Sequence, residues 1–364
     1  MQNKLKILHV INSLTRGGAE TLLVNSLTPG GLNEHADNHL LYFIGGDYLS
    51  SLVDKSVTQI CLNYKGGTDI FRLFRQLRKI MNEGNFDIIH THLNPADFYV
   101  SLVKPKHIPQ VHTVHIAYST DFETKASSKF FEKLFYFNRK DCNLIFLSSY
   151  TERDFLDTVS FKGRHFVLNN FIDDSYFNIR ARTYIPATGS TLKVIAVGNF
   201  RAQKNYFYML EIFGHLTEYN IELDIYGGGD TQPYEEIITG RKLKVNLMGQ
   251  QANINEIIGN YHLFMMSSTN EGFPLSVFEA MAASLPVMLS NIPPLTSIVK
   301  DNALYFELND AEKAASLLLD IANGKLDISS MAVKARQHAE QITRRSTYIK
   351  NLLGIYSQVL PVTN

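Results

Sequence analysis

The chain reads as two α/β domains in tandem, each a mostly parallel sheet with helices on both faces. Three observations lead there. At 364 residues it exceeds the size that one core usually serves, and an apolar content of 45% is enough for two. Short apolar runs alternate with helical patterns in two successive series, the signature of βαβ units. Between the series, Thr183, Tyr184, Ile185, Pro186, Ala187, Thr188, Gly189 and Ser190 have linker composition.

In the first series, strands are expected at residues 7–11, 40–44, 87–90, 110–114 and 143–147. In the second they are expected at 193–197, 222–226, 245–248, 261–266, 286–289 and 303–306. A boundary inside the linker predicts domains at 1–185 and 186–343, with a helical tail over 344–364.

Composition narrows the function. Lys plus Arg and Asp plus Glu balance at 35 each, so no global field favours nucleic acid. Cys61 and Cys142 form no C-x-x-C pair, which argues against a disulfide framework or a redox motif and suggests a reducing cytoplasm. Neither a run of about 18 apolar residues nor a signal-peptide core is expected. Two stretches interleave cations with apolar residues: Arg72, Arg75, Arg78 and Lys79 around Phe71 and Phe74, and Lys129, Lys133, Arg139 and Lys140 around Phe130, Phe131 and Phe135. Each fits either a core helix with a solvated face or a peripheral contact with an anionic membrane on its inner side.

The most informative segment runs from Asn270 to Ala282. Pro274 suits a helix start. The amides of Leu275, Ser276 and Val277 would then face backwards with the positive end of the macrodipole, a site for a diphosphate. Glu279 lies one turn beyond Leu275, about 5–6 Å along the axis, roughly the step from a diphosphate to a ribose diol. Glu271 stays in the loop before the helix. A glutamate pair at this spacing arises on the order of once by chance in such a chain; the strand before it and the helix after it give it meaning.

This segment resembles the E-x7-E region of GT-B fold retaining glycosyltransferases, in particular family 4. The continuation through Ala283, Ser284, Leu285, Pro286 and Val287 to Ser290, Asn291, Ile292 and Pro293 is similar as well. The resemblance covers nearly the whole chain. It implies two Rossmann-like domains around an interdomain cleft, and a last helix crossing back to the first domain. Glu271 with the backbone of Gly272, Phe273, Pro274 and Leu275 would hold donor sugar and phosphate, and Glu279 the ribose.

After the first strand of the second series come Gly198, Asn199, Arg201 and Lys204, two cations beyond a strand end where a leaving diphosphate gains charge. The segment resembles the family pattern V-G-R-x5-K. Lys204 stands at its lysine, whereas Asn199 replaces its arginine, leaving Arg201 as a second phosphate candidate. Ser284 at a family glycine and Asn170 after Asn169, where Asn-Gly is frequent, are further departures. The run Tyr226 to Asp230 lacks dinucleotide spacing, and a Walker lysine is absent. By resemblance, Met248 would lie at the nucleobase, and Gly17 and Gly18, in a Gly-Gly-x-Glu loop that ends in Glu20, would contact the donor.

Alternation puts His112 and His115 on opposite strand faces. The resemblance implies that His115 supports the donor sugar, and His112 reads as packing. His90, His92 and Asn94 end another strand and are acceptor-pocket candidates. With no D-x-D motif and no compact ligand cluster in the spacing, no metal or other cofactor is expected. The expected activity is retaining transfer of a sugar from a nucleotide diphosphate, UDP by first choice, to a glycan or lipid-linked acceptor in bacterial surface polysaccharide assembly. A GT-B epimerase or hydrolase, or a non-catalytic sugar-nucleotide-binding subunit, is the alternative.

Overall fold

A computed structural model describes residues 4–15, 17–45, 49–115, 117, 141–180 and 190–361. The chain divides into two compact units, one of Met1–Phe171 with Arg345–Asn364 and a second of Ile172–Arg344.

In chain order the first unit contains β1 (Lys6–Ile11), α1 (Gly18–Ser26), β2 (Asp37–Tyr42), β3 (Thr58–Cys61), α2 (Ile70–Glu83) and β4 (Ile88–His92). Then follow α3 (Ala96–Val103), β5 (Gln110–Val114), β6 (Cys142–Phe146), α4 (Ser149–Thr158) and β7 (Arg164–Val167). Its seven strands are ordered β3-β2-β1-β4-β5-β6-β7, and all neighbouring pairs are parallel. Parallel strands need long crossovers, so helices cover both faces and central strands such as β6 are buried along their length.

The second unit contains β8 (Leu192–Val197), α5 (Tyr206–Gly214), β9 (Ile221–Tyr226), α6 (Gln232–Gly240), β10 (Val245–Gly249), α7 (Ile254–Ile257) and β11 (Leu263–Met266). It continues with α8 (Leu275–Ala282), β12 (Val287–Ser290), α9 (Pro293–Val299), β13 (Leu304–Phe306), α10 (Ala311–Ala322) and α11 (Ser329–Thr343). Its six parallel strands run β10-β9-β8-β11-β12-β13. The last helix, α12 (Arg345–Val359), packs Tyr348, Ile349, Leu352, Ile355 and Tyr356 with Ile7, Ile11, Ile88 and Val111 of the first sheet.

Two strands carry no sequence signal. β3 and β7 are four-residue edge strands, largely exposed, so neither has an apolar run to mark it. The units part at Phe171/Ile172, ahead of the 185/186 division that linker composition suggested; residues 181–189 lie outside the described residues. The physical reason is that residues 172–179 are already held by the second unit. The Ile172 amide donates to Thr343, and the Arg336 guanidinium donates to the carbonyls of Phe177, Ile179 and Ala282 and to Ser284 Oγ. In α2, Leu73, Leu77 and Met81 are buried, and Arg72 is held by Asp69 and the carbonyls of Leu62 and Asn63, which accounts for one of its cations as a loop clamp. The other basic stretch, 125–140, lies outside the described residues. Among those described, no helix is long and apolar enough to cross a membrane.

Arg336→Ala removes the donor from several carbonyls at once. Urea unfolding is expected to show a loss of about 2–4 kcal/mol, and an unchanged midpoint would mean that this latch carries no stability.

Candidate functional site

In each sheet the strand order reverses once, at β1/β4 and at β8/β11. Open parallel sheets take ligands at such switch points, outside the strand C-termini. The second unit places its charged candidates there. Lys204 lies in the loop after β8 and Glu271 in the loop after β11, and Lys204 Nζ donates to Glu271 Oε1 at 2.7 Å. Ser268 Oγ donates to the same oxygen at 2.6 Å. The side chains are 16% and 7% exposed, so the ion pair is largely taken from water and neither partner is readily lost alone.

The loops are tied together around that pair. Ser267 Oγ donates to the carbonyls of Lys204 and Asn205, and the Thr269 amide donates to Gln203. Gly198 allows the Lys204 side chain to fold back, since a Cβ there would stand 3.0 Å from Lys204 Cε. Gly227 is required more strictly, because a Cβ would meet the Gly198 carbonyl at 1.9 Å. Asn199 shows what replaces the family arginine. Its Oδ1 accepts from the Gly228 amide at 3.0 Å, so it pins the triple-glycine turn instead of carrying charge. Arg201 is exposed.

The start of α8 differs from expectation. Pro274 is the residue before the helix, with φ −82° and ψ 80°, instead of its first turn. The Leu275 amide donates to Phe273 and the Val277 amide to Pro274, so two of the three amides expected to face a diphosphate are engaged within the turn. Phe273 is buried and stacks on Phe278, with ring centroids 4.9 Å apart. Helix α8 ends in a paired 6→1 and 5→2 closure, Leu285 to Ala280 and Ser284 to Met281, with Ser284 at φ +62°. That left-handed position is where the family glycine belongs, and here the Arg336 bond to Ser284 Oγ accompanies it.

Glu279 is partly buried and meets residues that sequence reasoning did not single out. Desolvation pushes its carboxyl up to about 7, Asp173 adds to the rise, and a hydrogen bond from Tyr176 opposes it. Burial and the Glu279 charge likewise push the Tyr176 phenol up. Nothing in the spacing of residues 173–176 signals this role. Met248 lies on a groove of about 610 Å³ along the edge strand β10, with Asp224, Glu235, Thr239 and Asn246.

In the first unit, Gly17 is the residue before α1, in extended conformation. A Cβ there would collide with Glu20 Oε2 at 2.3 Å, while Gly18 has open space. That neighbour is the movable end of the Glu20 side chain, which can shift, so packing alone does not demand glycine at position 17. Asn12 Nδ2 donates to the Asn94 carbonyl at 2.5 Å, joining the loops after β1 and β4. His90 and His92 are 1% and 2% exposed, closed within the sheet's cover, and do not line an open acceptor pocket as expected. His112 packs on the opposite face, hydrogen-bonded to Thr91 and 3.6 Å from Asp97. His115 follows β5, and burial lowers its imidazole to about 3, so it is neutral at pH 7.

A compact histidine cluster does form, contrary to the spacing argument. His9 from β1 and His90 and His92 from β4 bring ligand atoms within 4.8 Å of one another. Neighbouring strands meet in register His9 to His90, a proximity that a separation of 81 positions conceals in the sequence.

Two family models tile the chain: Glycosyltransferase Family 4 matches residues 7–176 and Glycosyl transferases group 1 matches 183–342. The chain belongs to the family 4, group 1 glycosyltransferases. A UDP-Gal:alpha-D-GlcNAc-diphosphoundecaprenol alpha-1,3-galactosyltransferase of Escherichia coli is 24% identical, over 96% of this chain and 97% of that one. Among solved structures, a glycosyltransferase from Rickettsia africae ESF-5 superposes with a TM-score of 0.81 at 18% identity, covering 99% of this glycosyltransferase and 100% of that chain. Anabaena HepE, solved in complex with UDP and glucose, superposes at 0.75 with 16% identity, over 97% of this chain and 100% of that one. These likenesses establish the two-domain GT-B fold.

Two outcomes follow for this glycosyltransferase. Glu279 ionises near 4.5 when unfolded and near 7 when folded, so from pH 4.5 to 7 the folded state holds more protons and stability falls as pH rises. Glu279→Gln is therefore expected to match wild type near the lower pH and to exceed it at pH 8 by up to about 3 kcal/mol in urea titrations. Equal pH slopes in both proteins would place the titration elsewhere. In the same assay, Lys204→Met is expected to cost about 1–3 kcal/mol, and adding Glu271→Gln to recover part of it, because the stranded carboxylate is then neutral.

Proposed function

We propose that this glycosyltransferase moves a sugar from a UDP-sugar to a hydroxyl of a lipid-linked glycan, with retention at the anomeric carbon, in bacterial surface polysaccharide assembly. The observation that carries the reading is the Lys204–Glu271 pair at the β8/β11 switch point. Without ligand, Glu271 neutralises Lys204. A nucleotide diphosphate brings two negative phosphates, and Lys204 can turn from the carboxylate to the leaving oxygens as the glycosidic bond breaks. Glu271, released, then faces the donor sugar together with the Gly272 loop. Ser276 remains a phosphate candidate, and exposed Arg201 can add charge.

Glu279 is assigned to the ribose. A diol donating to its carboxylate favours the charged form that burial disfavours, and Tyr176 orients the acceptor oxygen. His115 of the first unit, neutral at pH 7, is assigned to the donor sugar, with Gly17 and Gly18 as backbone contacts. No carboxylate is assigned as a covalent nucleophile. The leaving phosphate takes the acceptor proton on the front face, and positioning with charge stabilisation supplies the rate. The diphosphate is neutralised by side chains, with no metal at the phosphates. Met248 on its groove keeps the nucleobase role only if the base reaches the β10 edge.

Support for the acceptor class comes from the Escherichia coli relative, whose name specifies a diphosphoundecaprenol-linked sugar, and for the donor from the UDP bound in Anabaena HepE.

The test is incubation with UDP-, GDP- and ADP-sugars and diphosphate-lipid-linked GlcNAc, reading product mass and anomeric configuration. A UDP-dependent, α-configured extended lipid is the expected product. Donor turnover without acceptor would instead indicate an epimerase or hydrolase. Lys204→Ala, with its circular dichroism retained, is expected to lose at least about 100-fold in turnover; wild-type turnover would remove Lys204 from the leaving-group role.

A further inference from the structure

Buried imidazole nitrogens without partners are costly, and the face of the first sheet beneath α12 collects several. His9, His90 and His92 are 1%, 1% and 2% exposed, and their rings lie 4.2–5.9 Å apart centroid to centroid. Among the described residues, His9 Nδ1 and both nitrogens of His92 have no hydrogen-bond partner, nor does His115 Nε2 beside them.

The surrounding bonds set the ring protonation. Asn38 Nδ2 donates to the Ala36 carbonyl, which turns Asn38 Oδ1 towards His9 Nε2 at 3.1 Å. Because that oxygen only accepts, His9 carries its proton on Nε2 and presents a bare lone pair at Nδ1. His90 Nδ1 lies 2.7 Å from Tyr356 Oη and its Nε2 2.8 Å from Thr113 Oγ1. Desolvation by burial disfavours the charged form of all three imidazoles.

We propose that His9, His90 and His92 form a binding site for a late first-row transition-metal ion of the Zn2+ class. Three neutral imidazoles suit Zn2+, Cu2+ or Ni2+ and not the oxygen-seeking Mg2+ or Ca2+. Metal-bound histidines characteristically donate the second ring N–H to a fixed acceptor. Asn38 Oδ1 supplies that acceptor for His9, and Tyr356 Oη supplies it for His90 once Nε2 exchanges Thr113 for the ion. Tetrahedral bonds of about 2.0–2.1 Å need nitrogens about 3.4 Å apart, so ligand atoms within 4.8 Å of one another close by up to about 1.4 Å. His115, with its ring centroid 5.9 Å from that of His92, or a water takes the fourth place. The ion would join β1, β4 and, through Tyr356, the C-terminal helix; with water in the fourth place, His115 stays free for the donor sugar.

The test uses untagged full-length protein. Expected is about one Zn2+ per chain after passage over chelating resin, and Co2+ exchange giving the intense visible bands of a four-coordinate site. His9→Gln is expected to abolish both. Tyr356→Phe, which preserves ring packing, is expected to weaken Zn2+ binding about 10–100-fold. Wild-type protein that takes up no more Zn2+ than His9→Gln, or that shows only the weak spectrum of hydrated Co2+, overturns the proposal and leaves buried water as the partner of these nitrogens. If His9→Gln fails to fold, the wild-type Co2+ spectrum and the Tyr356→Phe titration decide alone.

Discussion

In a parallel sheet each connection must cross over with the same hand, and where the strand order reverses the two crossovers depart to opposite faces. The loops after β8 and β11 separate in this way, as do those after β1 and β4. Two groups of chemically notable side chains among the described residues stand at these reversals. Lys204 and Glu271 meet across the first, and His9, His90 and His92 stand on the strands of the second. Helices cover both sheet faces, so polar groups at the reversals sit in partly dry surroundings and must find one another.

That dryness explains the electrostatics. Glu271 is held by Lys204 and Ser268, so its charge is matched before any ligand arrives. Glu279 has no ion-pair partner among the described residues and is pushed towards the neutral form, with Tyr176 as its hydrogen-bond donor. Under the proposed function a nucleotide sugar alters both at once, drawing Lys204 to phosphate and offering Glu279 hydroxyl donors. Burial lowers the imidazoles of the first unit in the same way, and His9 Nδ1 and both His92 nitrogens have no hydrogen-bond partner among the described residues.

Much of the fold was legible. Central strands covered on both faces are rich in apolar residues, so β1, β6, β8 and β11 announced themselves. β3 and β7 did not, because exposed edge strands need no such run. Ser284 as a departure from glycine was visible in the sequence, but its left-handed backbone and its bond to Arg336 were not. Helix α8 was placed within a residue, yet the turn before it closed on its own amides, a local competition that composition cannot resolve.

By itself, then, the sequence determined the two α/β units, the family, and the candidacy of Lys204, Glu271 and Glu279, since these depend on periodicity and on short segments whose chemistry is local. Only the tertiary structure decided which groups pair. Lys204 and Glu271 are 67 positions apart, His9 and His90 are 81, and His90 and Tyr356 are 266. Such partners are chosen by strand order and crossover, and a parallel sheet makes neighbours of strands that the chain keeps far apart.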